Sequence, residues 1–139
     1  MKALQFLIFI ICTYTNINAK AQGKPYVLKY NRIDYYAPAS PNLPAENKTM
    51  NLDSKFIIDI EKNFVEILVF YSDGPVKSKY EIKEFSDIKE SKEGGKYFTL
   101  KCQGNNLATV VIDVNKQVRW IKRTIPHNGI VHKFYNNDE

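Results

Sequence analysis

The cleanest pattern in the chain runs from Val76 to Lys83. There Val76, Ser78, Tyr80 and Ile82 alternate with Lys77, Lys79, Glu81 and Lys83. A period of two places successive side chains on opposite faces, so this stretch predicts an antiparallel strand with one face buried and one solvated. The same alternation recurs. Phe98, Leu100 and Cys102 share a face against Tyr97, Thr99 and Lys101, and Ala108, Val110, Ile112 and Val114 form another inward set. Two apolar stretches, 56–60 and 65–69, flank Glu61-Lys62-Asn63-Phe64. With Lys62-Asn63 at the hairpin tip, Ile60 faces Val65, Ile58 faces Ile67 and Phe56 faces Val69. One side of the pair is then wholly apolar, and Asp59 and Glu66 fall on the other. Residues 26–36 are aromatic and β-prone, and residues 118–125 and 130–135 give two final strands. Between those two, Pro126-His127-Asn128-Gly129 carries the Asn-Gly pair that favours a tight hairpin.

The punctuation fits an all-β chain. Ser72-Asp73-Gly74-Pro75, Glu93-Gly94-Gly95-Lys96 and Gly104-Asn105-Asn106 read as turns. Residues 84–93 are charged and irregular, a fraying strand or a single helical turn. Residues 37–54 hold Pro38, Pro41 and Pro44 and read as the longest, most mobile loop. No stretch shows helical periodicity of ordinary length. The expectation is an antiparallel up-and-down meander of seven to eight strands. A small barrel is favoured over a two-layer sandwich, because closure removes exposed edges. One internal echo, 57–63 against 111–117, reads as two hairpins meeting the same turn requirement rather than as a repeat.

The N-terminus changes where this fold is expected to work. Lys2 precedes an apolar run ending near Cys12, and Ala19-Lys20-Ala21 supplies a small-x-small triplet. That is the layout of a secretory signal peptide, and the run is shorter than the roughly 20 residues that span a bilayer. Residues 1–21 are therefore expected to be removed, leaving residues 22–139 as one exported β-domain, periplasmic or extracellular, without a stable membrane span. The wealth of Lys, Asn and Ile resembles that of secreted proteins from AT-rich bacteria. Lys2 and Lys20 leave with the leader, taking the net charge from +5 to +3. Such a mild, dispersed charge points away from nucleic acid. Cys102 is then the sole cysteine, read as a small buried hydrophobe.

Candidate chemistry is sparse. His127 and His132 have no cysteine beside them and no helical spacing, so neither a metal site nor any other cofactor is expected. No Gly-x-Ser-x-Gly, phosphate loop or distinctive carboxylate pair is present, and no enzyme is expected. The first recognition candidate is the stretch in which Arg119, Lys122 and Arg123 surround the single tryptophan, Trp120. Tyr35 and Tyr36, before the proline-rich segment, are candidates to rim a pocket. Two registers compete around Trp120. A two-residue turn at Lys116-Gln117 pairs Ile112 with Ile121 and sends the indole outward. A three-residue turn at Asn115-Lys116-Gln117 pairs Ile112 with Trp120 and buries it, setting Asp113 against Arg119. The second is favoured. The functional expectation is a non-catalytic exported binding domain holding a small apolar ligand inside a barrel. The alternative is a protein-interaction domain, such as an inhibitor or an accessory subunit of an envelope assembly. A ligand binder needs an apolar cavity of roughly 300 Å³ or more. An interaction domain needs a filled core and an exposed aromatic-basic patch.

Overall fold

A computed structural model describes residues 24–92 and 94–137, and the leader expected at 1–21 lies outside them. The described chain is all-β. The strands are β1 (Tyr26–Tyr30), β2 (Arg32–Ala37), β3 (Glu46–Met50), β4 (Ser54–Asp59), β5 (Phe64–Tyr71), β6 (Gly74–Phe85), β7 (Lys89–Glu90), β8 (Lys96–Gln103), β9 (Thr109–Asn115), β10 (Trp120–Ile125) and β11 (Ile130–Tyr135). All belong to one antiparallel sheet, in the order β1-β4-β5-β6-β8-β9-β10-β11-β2-β3, with β7 added beside β8.

Eleven strands replace the seven or eight expected, for three local reasons. The aromatic stretch 26–36 is two strands, divided at Asn31, because its halves pair with different neighbours: β1 with β4, and β2 with β11. The proline-rich segment 37–54 is not loop throughout. Its prolines stop at Pro44, and Glu46–Met50 pairs with β2 from Ile33↔Met50 to Ala37↔Glu46. The charged stretch 84–93 yields the short β7 and no helix among its described residues.

From β4 to β6 and from β8 to β11, the chain runs as hairpins between sheet neighbours. The sheet's two end regions are also joined along the chain. Asn31 alone separates β1 from β2, and residues 51–53 separate β3 from β4. The interior confirms that these regions meet. Phe56 of β4 packs edge-to-face on Phe134 of β11, with centroids 4.8 Å apart, and Tyr30 of β1 packs on Phe56 at 6.0 Å. The main cluster draws alternate residues from nine of the strands, with Phe56, Ile58, Leu100, Ile112, Ile121 and Phe134 fully buried. Asparagines fasten the outside of the junction. Asn31 donates its amide to the Asn136 side chain (3.1 Å), Asn137 donates its amide to the Asn31 side chain (3.0 Å), and Arg32 reaches Asn137.

Two hairpin registers differ from expectation, each because a polar side chain enlarges the turn. After β4, Asp59 is buried and its Oδ1 accepts the Lys62 amide at 2.9 Å. The connection grows to Ile60–Asn63, with Asn63 in the left-handed region (φ 55°). Ile58 then pairs with Val65 and Phe56 with Ile67, a slip of two that keeps every side chain on its expected face. After β9, Asn115 is buried. Its Oδ1 accepts the amides of Gln117 (3.1 Å) and Arg119 (3.2 Å), and its Nδ2 donates to the Lys96 carbonyl (3.2 Å). Side chains of this type compete well for turn amides. The chain crosses through Val118 at φ 58° before pairing resumes at Val114↔Ile121. Neither register considered from sequence is therefore adopted, and the preferred burial of Trp120 is corrected: Ile121 enters the core and Trp120 stays half-buried on the outer face. The echo at 57–63 and 111–117 does not extend to these turns, since the turn-forming acceptors, Asp59 and Asn115, are not equivalent in it.

These placements give opposite expectations for adjacent residues. Ile121→Ala should cost about 2–5 kcal/mol as a truncation of a fully buried side chain. Trp120→Ala should cost less than half as much. Urea unfolding of both variants checks the pair, and equal losses would contradict the register.

Candidate functional site

Strands β10 and β11 present a different chemistry on each face, and the candidate residues divide between them. The outer face carries Trp120 and Lys122. Trp120 lies tilted against Tyr97 (centroids 6.0 Å apart), with the ammonium groups of Lys122 and Lys133 at 5.6 and 5.9 Å from its ring centroid. The pairing also lines up Asp113, Lys122, Lys133 and Asp34 across β9, β10, β11 and β2. Acids thus flank the two lysines in a row of cross-strand neighbours, an arrangement that stabilises a wet sheet face. The acids are engaged further: Thr99 donates to Asp113 (2.7 Å), and Thr49 (2.7 Å) and Tyr135 (2.9 Å) both donate to Asp34. Arg119 is exposed in the β9–β10 turn, and Tyr36 is 41 % exposed on the side opposite Tyr35.

The inner face gathers Arg123 and Tyr35 with three residues that the sequence did not single out as a site: Lys48, Tyr80 and His132. The long Asn115 turn sets Arg123 opposite buried Ile112, which turns its guanidinium toward the interior. The β10–β11 hairpin pairs Arg123 with His132, and β11 pairs His132 with Tyr35. The next pairing, Tyr35 with Lys48, carries the same row into β3. Arg123 Nη1 donates to the Tyr80 hydroxyl at 3.3 Å, and Nη2 lies 3.2 Å from His132 Nδ1. Arg123 Nε is buried and has no hydrogen-bond partner among the described residues. Tyr35 packs edge-on to His132 at 5.1 Å, and Lys48 Nζ stands 4.8 Å above the Tyr35 ring.

The electrostatics of this cluster are one-sided. Burial, then Arg123 and Lys48, push the His132 pKa down to about 4, so the imidazole is neutral at pH 7. Arginine has no acceptor, so His132 Nδ1 must accept, which places the ring proton on Nε2. Glu46 pairs with Lys48 at 3.1 Å, and among the described residues no carboxylate forms an ion pair with Arg123.

Other candidates assemble less. His127 is exposed in the β10–β11 turn, away from the row that holds His132. Among the described residues no cluster of His, Cys, Asp or Glu has the makings of a metal site. Cys102 is buried, with Sγ 3.8 Å from the Leu100 carbonyl oxygen, and burial pushes its thiol up to about 12. A thiol so placed is not a thiolate at neutral pH. A cleft of about 510 Å³ between the β4–β5 and β8–β9 turns is lined by Lys62, Phe64, Lys79, Gly104 and Leu107, and reaches the Tyr80 ring. A second, of about 580 Å³, lies along the junction of β1 with the C-terminal residues, between Asn31, Ser54 and Asn136.

Two expectations follow from these environments. Cys102 should react slowly with a thiol reagent in native protein and rapidly after unfolding, which absorbance of the released chromophore reports. His132, held near 4 when folded and near 6.5 when unfolded, contributes stability that is fully present above pH 6.5 and declines as pH falls toward 4. The melting temperature of wild type should therefore fall relative to that of His132→Gln as pH drops from 6.5 toward 4. A gap that does not change with pH would contradict the assignment. No family model, curated protein or solved structure matches this chain.

Proposed function

We propose that this chain is an exported, non-catalytic binding domain, a small barrel that takes its ligand at the inner end marked by Arg123. The observation that carries the reading is the inward guanidinium itself: a charged group turned into a sheet interior, with one nitrogen buried and, among the described residues, neither a partner for that nitrogen nor a carboxylate paired to the group. Buried charges are ordinarily paired, and perturbed, unbalanced polar groups concentrate at binding sites.

Two features support the barrel. Residues 26–37 face residues 46–59 through both the β1–β4 and β2–β3 ladders, and their register changes by only one residue between Tyr30↔Ser54 and Ile33↔Met50. Counted as two bent strands rather than four, they complete a ring with β5, β6 and β8–β11. The contact of Phe56 with Phe134 fills the middle of the interior with side chains, which favours a ligand at the polar end over an apolar ligand at the centre. Export rests on the leader-like residues 1–21.

The alternative, an interaction domain using the outer Trp120 face, is favoured by the Trp120–Tyr97 contact and its neighbouring lysines. The acids that flank those lysines leave it less unbalanced charge to offer a partner.

A fragment set of mixed charge, screened by two-dimensional NMR of the labelled domain, separates the two. Ligands should perturb Tyr35, Lys48, Tyr80, Arg123 and His132 together. Perturbation confined to Tyr97, Trp120 and Lys133 would support the alternative.

A further inference from the structure

The ligand's chemistry can be taken further, on the basis of the binding reading just given. The polar groups of the inner cluster are mostly donors. Arg123 carries five N–H donors and no acceptor, and its contacts with Tyr80 and His132 use two of them. Its Nε–H is buried without a partner among the described residues. The Tyr80 oxygen accepts from Arg123, which leaves its own proton to donate elsewhere. His132 accepts at Nδ1, so its Nε2 is a donor. Lys48 adds an ammonium group to the same row, with Glu46 as its carboxylate partner. The apolar surroundings are Tyr35, whose ring meets His132, and Phe134, whose ring lies 6.0 Å from the Arg123 guanidinium carbon.

We propose that this end binds an oxyanion, a carboxylate or a phosphate group, with Arg123 as its principal contact and Tyr80, His132 and Lys48 as supporting donors. Such a ligand supplies what the cluster lacks: negative charge and acceptor atoms in one planar or tetrahedral group. Guanidinium geometry suits both groups, since its N–H donors can address two oxygens at once. The neutral state of His132 suits it too, because a neutral imidazole donates without adding a third cation beside Arg123 and Lys48. The cleft lined in part by Tyr80 also carries Lys62, Lys79 and Glu81. A purely structural arginine would need none of this, and the test must move something that a structural role would not.

The experiment uses the folded mature domain and three probes: sodium benzoate, its neutral counterpart benzamide, and inorganic phosphate. Binding is read by NMR titration of the Arg123 Nε–H and the His132 ring, with buffer chloride held constant. Benzoate or phosphate should shift these resonances saturably and benzamide should not. Saturation by benzoate alone assigns a carboxylate, and by phosphate alone a phosphate group. Arg123→Gln should weaken the anion on the order of ten- to a hundredfold, the scale of a lost charge-assisted contact. If that variant fails to fold, Lys48→Gln carries the comparison, since its half-exposed side chain tolerates replacement. It should weaken the anion severalfold and leave melting unchanged. Benzamide binding as well as benzoate, with both variants indifferent, would overturn the oxyanion and leave the binding site standing. No saturable shift in the cluster from any of the three probes would overturn both.

Discussion

The fold depends on one aromatic contact chain. Tyr30 and Phe56, from the paired strands β1 and β4, stand edge to face, and Phe56 does the same with Phe134 of β11, a strand far from both in the hydrogen-bonded order. An antiparallel sheet of this size buries its apolar face by curling or by splitting into packed layers. The Phe56–Phe134 contact brings the sheet's two end regions together on that face. The Tyr30 hydroxyl extends the chain by donating to the Val118 carbonyl at 2.8 Å, which ties the β9–β10 turn to the same point. Without a disulfide among the described residues, packing of this kind must hold the domain together.

From that constraint follows the contrast between the two faces of β10. The outer face is balanced residue by residue, with acids beside lysines and hydroxyls on the acids. The inner face is apolar for most of its length and becomes cationic only at Arg123. A partly buried guanidinium there carries a desolvation cost that a leucine would not. On the proposed reading, its pairing partner comes from outside the chain.

Much of the fold was legible because burial imposes a period of two. The inward sets at Phe98–Cys102 and Val110–Val114 were read correctly, since a strand with one apolar face admits only one phase. Turn length was not legible. Asp59 and Asn115 look like ordinary polar residues in the sequence, and only burial turns their side chains into acceptors for turn amides. The error after Asn115 propagated to the site, because the parity of that turn decides whether Trp120 or Arg123 faces inward. Arg123 and Tyr35 were named, but as members of separate patches. One signal for His132 was present: a four-residue connection through Asn128-Gly129 places it directly opposite Arg123. Lys48 carried no signal, since proline-rich neighbours conceal a strand. Tyr80 lay in plain alternation and told nothing of what it would meet across the interior.

The asparagine fastening at Asn31 has a temporal meaning. Its partners, Asn136 and Asn137, come more than one hundred residues later in the chain, and β2 waits for β11 over a similar distance. β2, among the first strands to be made, is therefore among the last to gain both neighbours. Contacts that span so much sequence form slowly and only when both ends are available. A nascent chain that stops short of Ile130 has no β11 to pair with β2 and β10, so those strands wait for it however early they are made.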